Sequence, residues 1–197
     1  MFPGKINMAD KNIHKLVLHP VSTDYASESW INIKQGLYQA RFIGKSISSE
    51  NESYLVGDNF LQLITFLGCS PHIEIVPEEE NNDSYCRIVL SELNNKIHFR
   101  FLARDVIARC PKCRKKLDSW SDWLNQWKES SSAVFVKCEH CDSRLSLFDL
   151  NWRHNAAFAR CFIDIWNIYP QEAIPTEELL SILFEATGEE WDYFFSD

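Results

Sequence analysis

Two short cysteine motifs, Cys110-Pro111-Lys112-Cys113 and Cys138-Glu139-His140-Cys141, decide how the middle of this 197-residue chain folds. A Cys-x-x-Cys turn lets two sulfur atoms reach one ion at about 2.3 Å, and two such turns complete a tetrahedron. In a chain without an export signal, this pairing indicates metal binding rather than a disulfide framework. We therefore predict one metal site with four cysteine ligands: Cys110, Cys113, Cys138 and Cys141.

The segment between the two motifs has helical periodicity. Apolar residues recur at steps of three and four, which predicts a helix from about Asp118 to Glu129 with one apolar stripe. The stripe consists of Leu117, Trp120, Trp123, Leu124 and Trp127. The motifs are 24 residues apart, more than the about 15 to 20 that are usual, and the helix accounts for the surplus as an insertion. Strand-like residues 133–137 and 144–148 predict a hairpin around the second motif.

The stretch from Cys110 to Cys141 resembles the zinc-ribbon class, whose members carry two such knuckles on short hairpins, and more distantly rubredoxin-like iron sites. Both commonly have glycine after the second cysteine of a knuckle, whereas this chain has Arg114 and Asp142. That departure counts most against rubredoxin, so the resemblance implies structural zinc, with iron as the alternative. Zinc ribbons serve DNA, RNA and protein partners alike, so the resemblance does not choose a partner.

The N-terminal half reads as a strand-rich region. After a loose lead-in of residues 1–12, apolar runs predict short strands at 14–19 and 37–43. Residues 58–67 predict a short buried helix, with Gly68 in the left-handed conformation at its end. Three further runs predict an antiparallel meander, and they are His72 to Val76, Tyr85 to Leu90 and Lys96 to Leu102.

The C-terminal part reads as a pair of helices packed on the preceding regions. Residues 151–168 predict a long helix, and a second helix is expected to begin at the cap Thr176 and to end at Gly188. The aromatic tail 191–195 is expected to dock back on the protein. The predicted fold class is thus α+β, divided into a lead-in (1–12), a strand-rich α+β region (13–103), a zinc ribbon with a helical insert (104–148) and C-terminal helices (149–197).

Charge is distributed unevenly along the chain. The net charge is −8, and residues 164 to 197 carry nine Asp or Glu and no Lys or Arg, so this end would repel phosphate. Around the first knuckle, six basic residues stand against the single acid Asp105. If nucleic acid binds, we expect these six, called here the basic knuckle, to contact it: Arg104, Arg109, Lys112, Arg114, Lys115 and Lys116.

Other features bear on location and chemistry. The chain has no run of about 18 apolar residues, and Met1 to Asp10 lack a charged-then-apolar leader, so we expect a cytoplasmic protein without a membrane span. Cys69 could act as a nucleophile with His72 or His98 as base. No Asp or Asn partner is indicated, and a buried structural thiol is the simpler interpretation.

These patterns favour a non-enzymatic zinc-binding protein, an interaction or regulatory module that acts through protein contacts. A four-thiolate site leaves no coordination position open for chemistry. The alternative is an RNA- or DNA-binding ribbon that uses the basic knuckle. A further alternative is an enzyme, either a thiol enzyme with Cys69 or an iron electron carrier that uses the knuckles.

Overall fold

A computed structural model describes residues 14–27, 29–48, 52–68, 73–75, 84–91, 93–103, 106–130 and 134–197. Within this part the protein is a mixed α/β protein whose sheets are antiparallel. Its elements are β1 (Lys15–Pro20), α1 (Ile31–Gln39), β2 (Ile43–Ser48), β3 (Ser53–Val56), α2 (Phe60–Leu63), β4 (Ile64–Phe66), β5 (Arg87–Leu90), β6 (His98–Phe101), α3 (Trp120–Ser130), β7 (Phe135–Lys137), β8 (Arg144–Ser146), β9 (Ala156–Ala159), β10 (Ile163–Trp166), β11 (Ala173–Pro175), α4 (Glu177–Thr187) and β12 (Trp191–Ser196).

A six-stranded antiparallel sheet forms the centre of the larger core, in the order β12-β1-β10-β5-β3-β2. In β1, Leu16 pairs with Ile165 of β10 on one side and with Phe195 of β12 on the other. These three residues are buried on the same face and belong to the larger hydrophobic cluster. The tail 191–195 therefore does dock back, as a strand of this sheet.

Helices α1 and α4 pack against each other over this core. Gly36 of α1 faces Ile182 of α4, and a Cβ at Gly36 would be in ordinary van der Waals contact with the Ile182 side chain, at 3.5 Å. The predicted bounds of α4 are confirmed. Thr176 accepts a hydrogen bond from the Leu179 backbone at its start, and Gly188 ends it with φ of 73°.

A second, smaller core lies around the cysteine motifs. It contains Leu117, Leu124 and Leu145 together with aromatic residues from outside the motifs, such as Trp152 and Phe158. The two-stranded sheet of β6 and β9 borders it, with Phe99 of β6 opposite Phe158 of β9. Residues around the cysteine motifs therefore bury their apolar side chains mainly among themselves and against β6 and β9.

The long helix predicted at 151–168 is wrong, and so is the C-terminal helical pair. Residues 156–159 form β9 and residues 163–166 form β10, both almost entirely buried. A strand that is covered on both faces reads as a continuous apolar run, which periodicity cannot distinguish from a buried helix. The helix that packs against α4 is α1, from the other end of the chain.

Several N-terminal predictions also need correction. The strand expected at 37–43 is the end of α1 followed by the start of β2, and the helix expected at 58–67 shortens to α2 because β4 begins at Ile64. Both segments are short and apolar, so tertiary pairing overrides their local periodicity.

The expected meander does not form. β5 lies between β3 and β10, whereas β6 pairs with β9 in a separate sheet. Of the run 72–76, residues 73–75 are described and form no strand, and the other two lie outside the described residues. Strand partners distant in sequence thus replace the local pairing that adjacency suggested.

None of the described helices has the length and apolar character needed to cross a membrane.

Candidate metal centre

The sulfur atoms of Cys110, Cys113, Cys138 and Cys141 form one cluster in which all four lie within 4.8 Å of one another. The distance from Cys110 Sγ to Cys141 Sγ is 3.8 Å, and that from Cys113 Sγ to Cys138 Sγ is 3.7 Å. Four sulfurs in a tetrahedron at 2.3 Å from one ion would be about 3.8 Å apart. The four predicted ligands are thus brought together, close enough to bind a metal ion such as zinc.

Each knuckle is a tight turn that points backbone N–H groups at its first sulfur. The Lys112 and Cys113 amides lie 3.4 and 3.5 Å from Cys110 Sγ, and the His140 amide lies 3.4 Å from Cys138 Sγ. The turn of the first knuckle closes through the Arg114 amide, which donates to the Cys110 carbonyl at 2.9 Å. Such N–H donors favour the charged thiolate, which is the form that binds metal.

The residue after each second cysteine adopts the left-handed backbone conformation. Arg114 has φ of 63° and Asp142 has φ of 59°. Glycine is the residue that populates this region without a steric penalty, which is the physical reason for the glycine common in related knuckles. The chain therefore keeps the backbone of the motif while it replaces the usual residue.

The knuckles are also joined to each other through side chains. His140 Nε2 lies 3.0 Å from the carbonyl oxygen of Lys116, and the Ser119 hydroxyl donates to the Glu139 carboxylate. The imidazole of His140 is thus engaged with the opposite knuckle, and the sulfur cluster consists of the four cysteines.

Burial differs among the four ligands. Cys110 and Cys138 are buried against the smaller core, Cys113 is half-buried and Cys141 is exposed. Hydrogen bonds from the side chain and the backbone of Ser143 lower the pKa of Cys141 to about 6. One side of the cluster is therefore anchored in the core and the other faces solvent, with a thiol that ionises readily.

Cys86 and Cys161 differ from these four. Both are buried in the larger core, and burial raises the pKa of each thiol to about 12. They stay protonated at neutral pH, as expected for structural residues. Cys69 and its proposed base His72 lie outside the described residues, and His98 lies in β6 opposite Ala159.

The predicted tryptophan helix is confirmed as α3, and it packs on the smaller core around the cysteine motifs. Leu124 is buried in the smaller core, while Trp120, Trp123 and Trp127 are partly buried against it. The Trp127 ring meets the Phe158 ring edge to face, with centroids 5.2 Å apart. These rings are packing residues, in an arrangement that adds to their burial energy.

The six residues of the basic knuckle differ in the contacts that they make. Arg104 lies outside the described residues. Arg109 donates to the Arg114 carbonyl at 3.1 Å, and Lys116 forms an ion pair with Asp118 at 2.8 Å. Within the described ranges, no ion pair involves the remaining three residues, Lys112, Arg114 and Lys115.

A second exposed surface, which was not predicted from the sequence, lies on the β7–β8 hairpin. On the β7–β8 hairpin, Val136 and Leu145 face the core, while Phe135, Lys137 and Arg144 face outward and are called here the hairpin face. Phe135 is 58% exposed, and the Arg144 guanidinium lies 4.6 Å from its ring centroid. The alternation of polar and apolar residues in β8 is a signal that could have revealed the outward position of Arg144, whereas Phe135 and Val136 of β7 are both apolar and give no such signal.

Comparison with family models, curated proteins and solved structures gives no significant match.

Proposed function

We propose that the protein is a non-enzymatic, cytoplasmic module in which a structural zinc ion holds a ribbon that binds a protein partner. The observation that carries the proposal is the sulfur cluster with tetrahedral spacing. Four thiolates saturate the coordination sphere of zinc, so the ion serves structure and not substrate activation. The use of cysteines as metal ligands fits a reducing compartment.

The hairpin face is the surface that we assign to the protein partner. Phenylalanine and arginine are both enriched in protein interfaces, and arginine is also enriched among the residues that contribute most of the binding energy. Phe135 and Arg144 are held in place by β7 and β8, which directly flank the second knuckle. The metal therefore supports partner binding indirectly, because it stabilises the fold of this hairpin.

The test is quantitative capture of partners from cell extract with the full chain as bait. The Phe135→Ala bait should no longer capture the partner, because the substitution removes the aromatic anchor. Phe184→Ala is the matched control, since Phe184 is a 49% exposed phenylalanine on α4, away from the ribbon. The proposal fails if the wild-type bait retains no stable protein partner, or if both variants retain it equally.

Nucleic-acid binding by the basic knuckle is the second candidate function. It is favoured by the absence of ion pairs at Lys112, Arg114 and Lys115 within the described ranges. Cations that contact phosphates make affinity fall steeply with salt, with a slope that decreases by about 0.9 for each contact removed.

A filter-binding titration at two salt concentrations tests this candidate. Lys112→Gln and Lys115→Gln should each reduce the salt dependence, whereas Lys45→Gln, an exposed lysine on β2, should not. Affinity that does not depend on salt, or equal effects of all three variants, would rule the candidate out.

The iron alternative is tested by metal analysis of the purified protein. Zinc in equimolar amount and a colourless solution are expected, because zinc has a filled d shell whereas an iron tetrathiolate absorbs visible light. One iron per chain and a red solution would instead support the alternative of an iron electron-transfer site.

A further inference from the structure

A cleft of about 610 Å³, open to solvent and called here the cavity, lies between β12 of the six-stranded sheet, the chain next to β4 and β11, and residues 151–155. Its walls come from β12, from the chain around β4 and β11, and from the turn at residues 152–155 that follows the ribbon. The volume is within the about 300 to 1,000 Å³ of small-molecule sites, which favour junctions between structural units. The cavity is separate from the sulfur cluster.

Three residues that line the cavity have a backbone that side chains other than glycine rarely adopt. Arg153, His154 and Gln171 have φ of 53°, 58° and 65°. Such conformations are energetically costly and concentrate at functional sites.

Hydrogen bonds on all sides hold the strained turn in place. The turn closes from the Asn155 amide to the Trp152 carbonyl at 3.0 Å, and the Asn151 side chain accepts from the Arg153 amide at 3.0 Å. The His154 carbonyl accepts from the Phe195 amide at 2.8 Å. The turn is therefore fixed to β12, and the cavity wall is preformed.

Part of the cavity lining is apolar. Leu67, Ile174 and Phe195 contribute apolar surface. The imidazole of His154 stacks on the Tyr193 ring with centroids 4.2 Å apart and planes 7° apart, and its Nδ1 lies 2.8 Å from the Tyr193 carbonyl. These apolar and aromatic side chains suit the hydrocarbon or aromatic body of a ligand.

The lining also contains polar side chains and a single formal charge. Asn151 and Gln171 supply carboxamides, and Arg153 supplies a guanidinium. None of the ion pairs in the described part of the chain involves Arg153. The Asp192 carboxylate lies 3.7 Å from His154 Nδ1 but is not part of the lining.

From this arrangement we infer that the cavity is a binding site for a small organic monoanion, a carboxylate with an aromatic or aliphatic body. Arg153 pairs with the carboxylate, since a guanidinium offers two parallel donors to its two oxygens. The carboxamides of Asn151 and Gln171 complete the hydrogen bonds, and the body lies against the apolar residues of the lining. This site is independent of the partner proposed for the ribbon.

Binding of benzoate to the full metal-loaded chain tests the inference, with benzamide and inorganic phosphate as companion probes and NMR titration as the readout. Benzoate should bind saturably with a dissociation constant on the order of 1 mM, as expected for a fragment of this size. Benzamide, which lacks the charge, and phosphate, which lacks the ring, should each bind at least about tenfold more weakly.

Two variants separate a specific site from general effects. Arg153→Asn should weaken benzoate about tenfold and leave benzamide unchanged, because asparagine tolerates the left-handed backbone but removes the charge. Arg41→Asn is the matched control, since Arg41 is also an exposed arginine with positive φ, 56°, and lies outside the cavity. Chemical shifts of the core confirm that each variant is folded.

The outcomes decide the matter. Saturable benzoate binding that Arg153→Asn weakens and Arg41→Asn does not supports the site. Absence of saturable binding below about 10 mM, equal binding of benzoate and benzamide, or equal loss in both variants overturns it.

Discussion

Arg114 and Asp142 hold the left-handed positions that end the two knuckles, and each lies directly after a cysteine of the sulfur cluster. The sequence shows that glycine is missing there, but only the backbone shows why glycine is common in such motifs. The side chains at these positions bear a steric cost that the knuckle compensates with its N–H to carbonyl and N–H to sulfur hydrogen bonds.

The first prediction concerns Arg114. Arg114→Gly should leave the free energy of unfolding of the metal-loaded protein unchanged or raise it by up to about 1 kcal/mol, because glycine relieves the left-handed strain. Arg114→Val should lower it by about 1 to 2 kcal/mol, since a β-branched residue fits this region poorly. Urea denaturation measures both. A marked loss of stability in the glycine variant would show that the arginine side chain itself supports the knuckle.

A second residue-scale prediction concerns the ion pair between the sheets. Arg100 of β6 lies 2.8 Å from Asp164 of β10, and the Asp164 side chain is only 10% exposed. Arg100→Met should lower the free energy of unfolding by about 3 kcal/mol, because it leaves a buried carboxylate without its partner. Replacing both residues, as Arg100→Met with Asp164→Val, should recover most of that loss.

A double-mutant cycle in urea checks this prediction. Equal destabilisation by Arg100→Met with and without Asp164→Val would mean that the two side chains do not interact energetically.

At the scale of elements, the two longest amphipathic helices are the parts that local sequence predicts well. Helix α4 has a capping threonine, acidic residues in its first turn and a C-terminal glycine, so its ends are encoded locally. Helix α3 has an apolar stripe with helical spacing. By contrast, β9 and β10 are apolar throughout, and nothing within them distinguishes a buried strand from a buried helix.

The cap of α4 gives the third prediction. Thr176 Oγ1 accepts from the Leu179 amide at 3.2 Å and donates to the Leu63 carbonyl at 3.1 Å, so it ties α4 to the end of α2. Thr176→Ala should lower the free energy of unfolding by about 1 to 2 kcal/mol, and Thr176→Ser, which keeps the hydroxyl, should recover most of it. Thermal unfolding measures the difference, and equal stability of the two variants would contradict the capping role.

At the scale of the whole molecule, the two cores differ in the interactions that stabilise them. The larger core is closed by the six-stranded sheet and its helices, while the smaller core packs around the cysteine motifs. A structural zinc site supplies on the order of 10 kcal/mol, comparable with the net stability of a domain. The smaller core is therefore expected to depend on the metal, and the larger one is not.

The fourth prediction follows from this division. Removal of the metal, or Cys110→Ser, should abolish amide hydrogen-exchange protection in α3, β7 and β8 and preserve it in β1, β5 and β10. Cys86→Ala is the control, because it removes a thiol from the larger core and should leave the metal content unchanged. Unaltered protection of the ribbon after complete chelation would show that the smaller core folds without an ion.

By itself, the sequence determined the four clustered cysteines, the helix between them, the hairpin around the second knuckle and the ends of α4, because spacing and capping are local properties of the chain. The tertiary structure alone decided that residues 156–166 form strands, that β1 lies between β10 and β12, and that Arg153 and Gln171 line one cavity. The physical reason is that strand pairing and cavity formation depend on contacts between residues far apart in the chain, which no local pattern records.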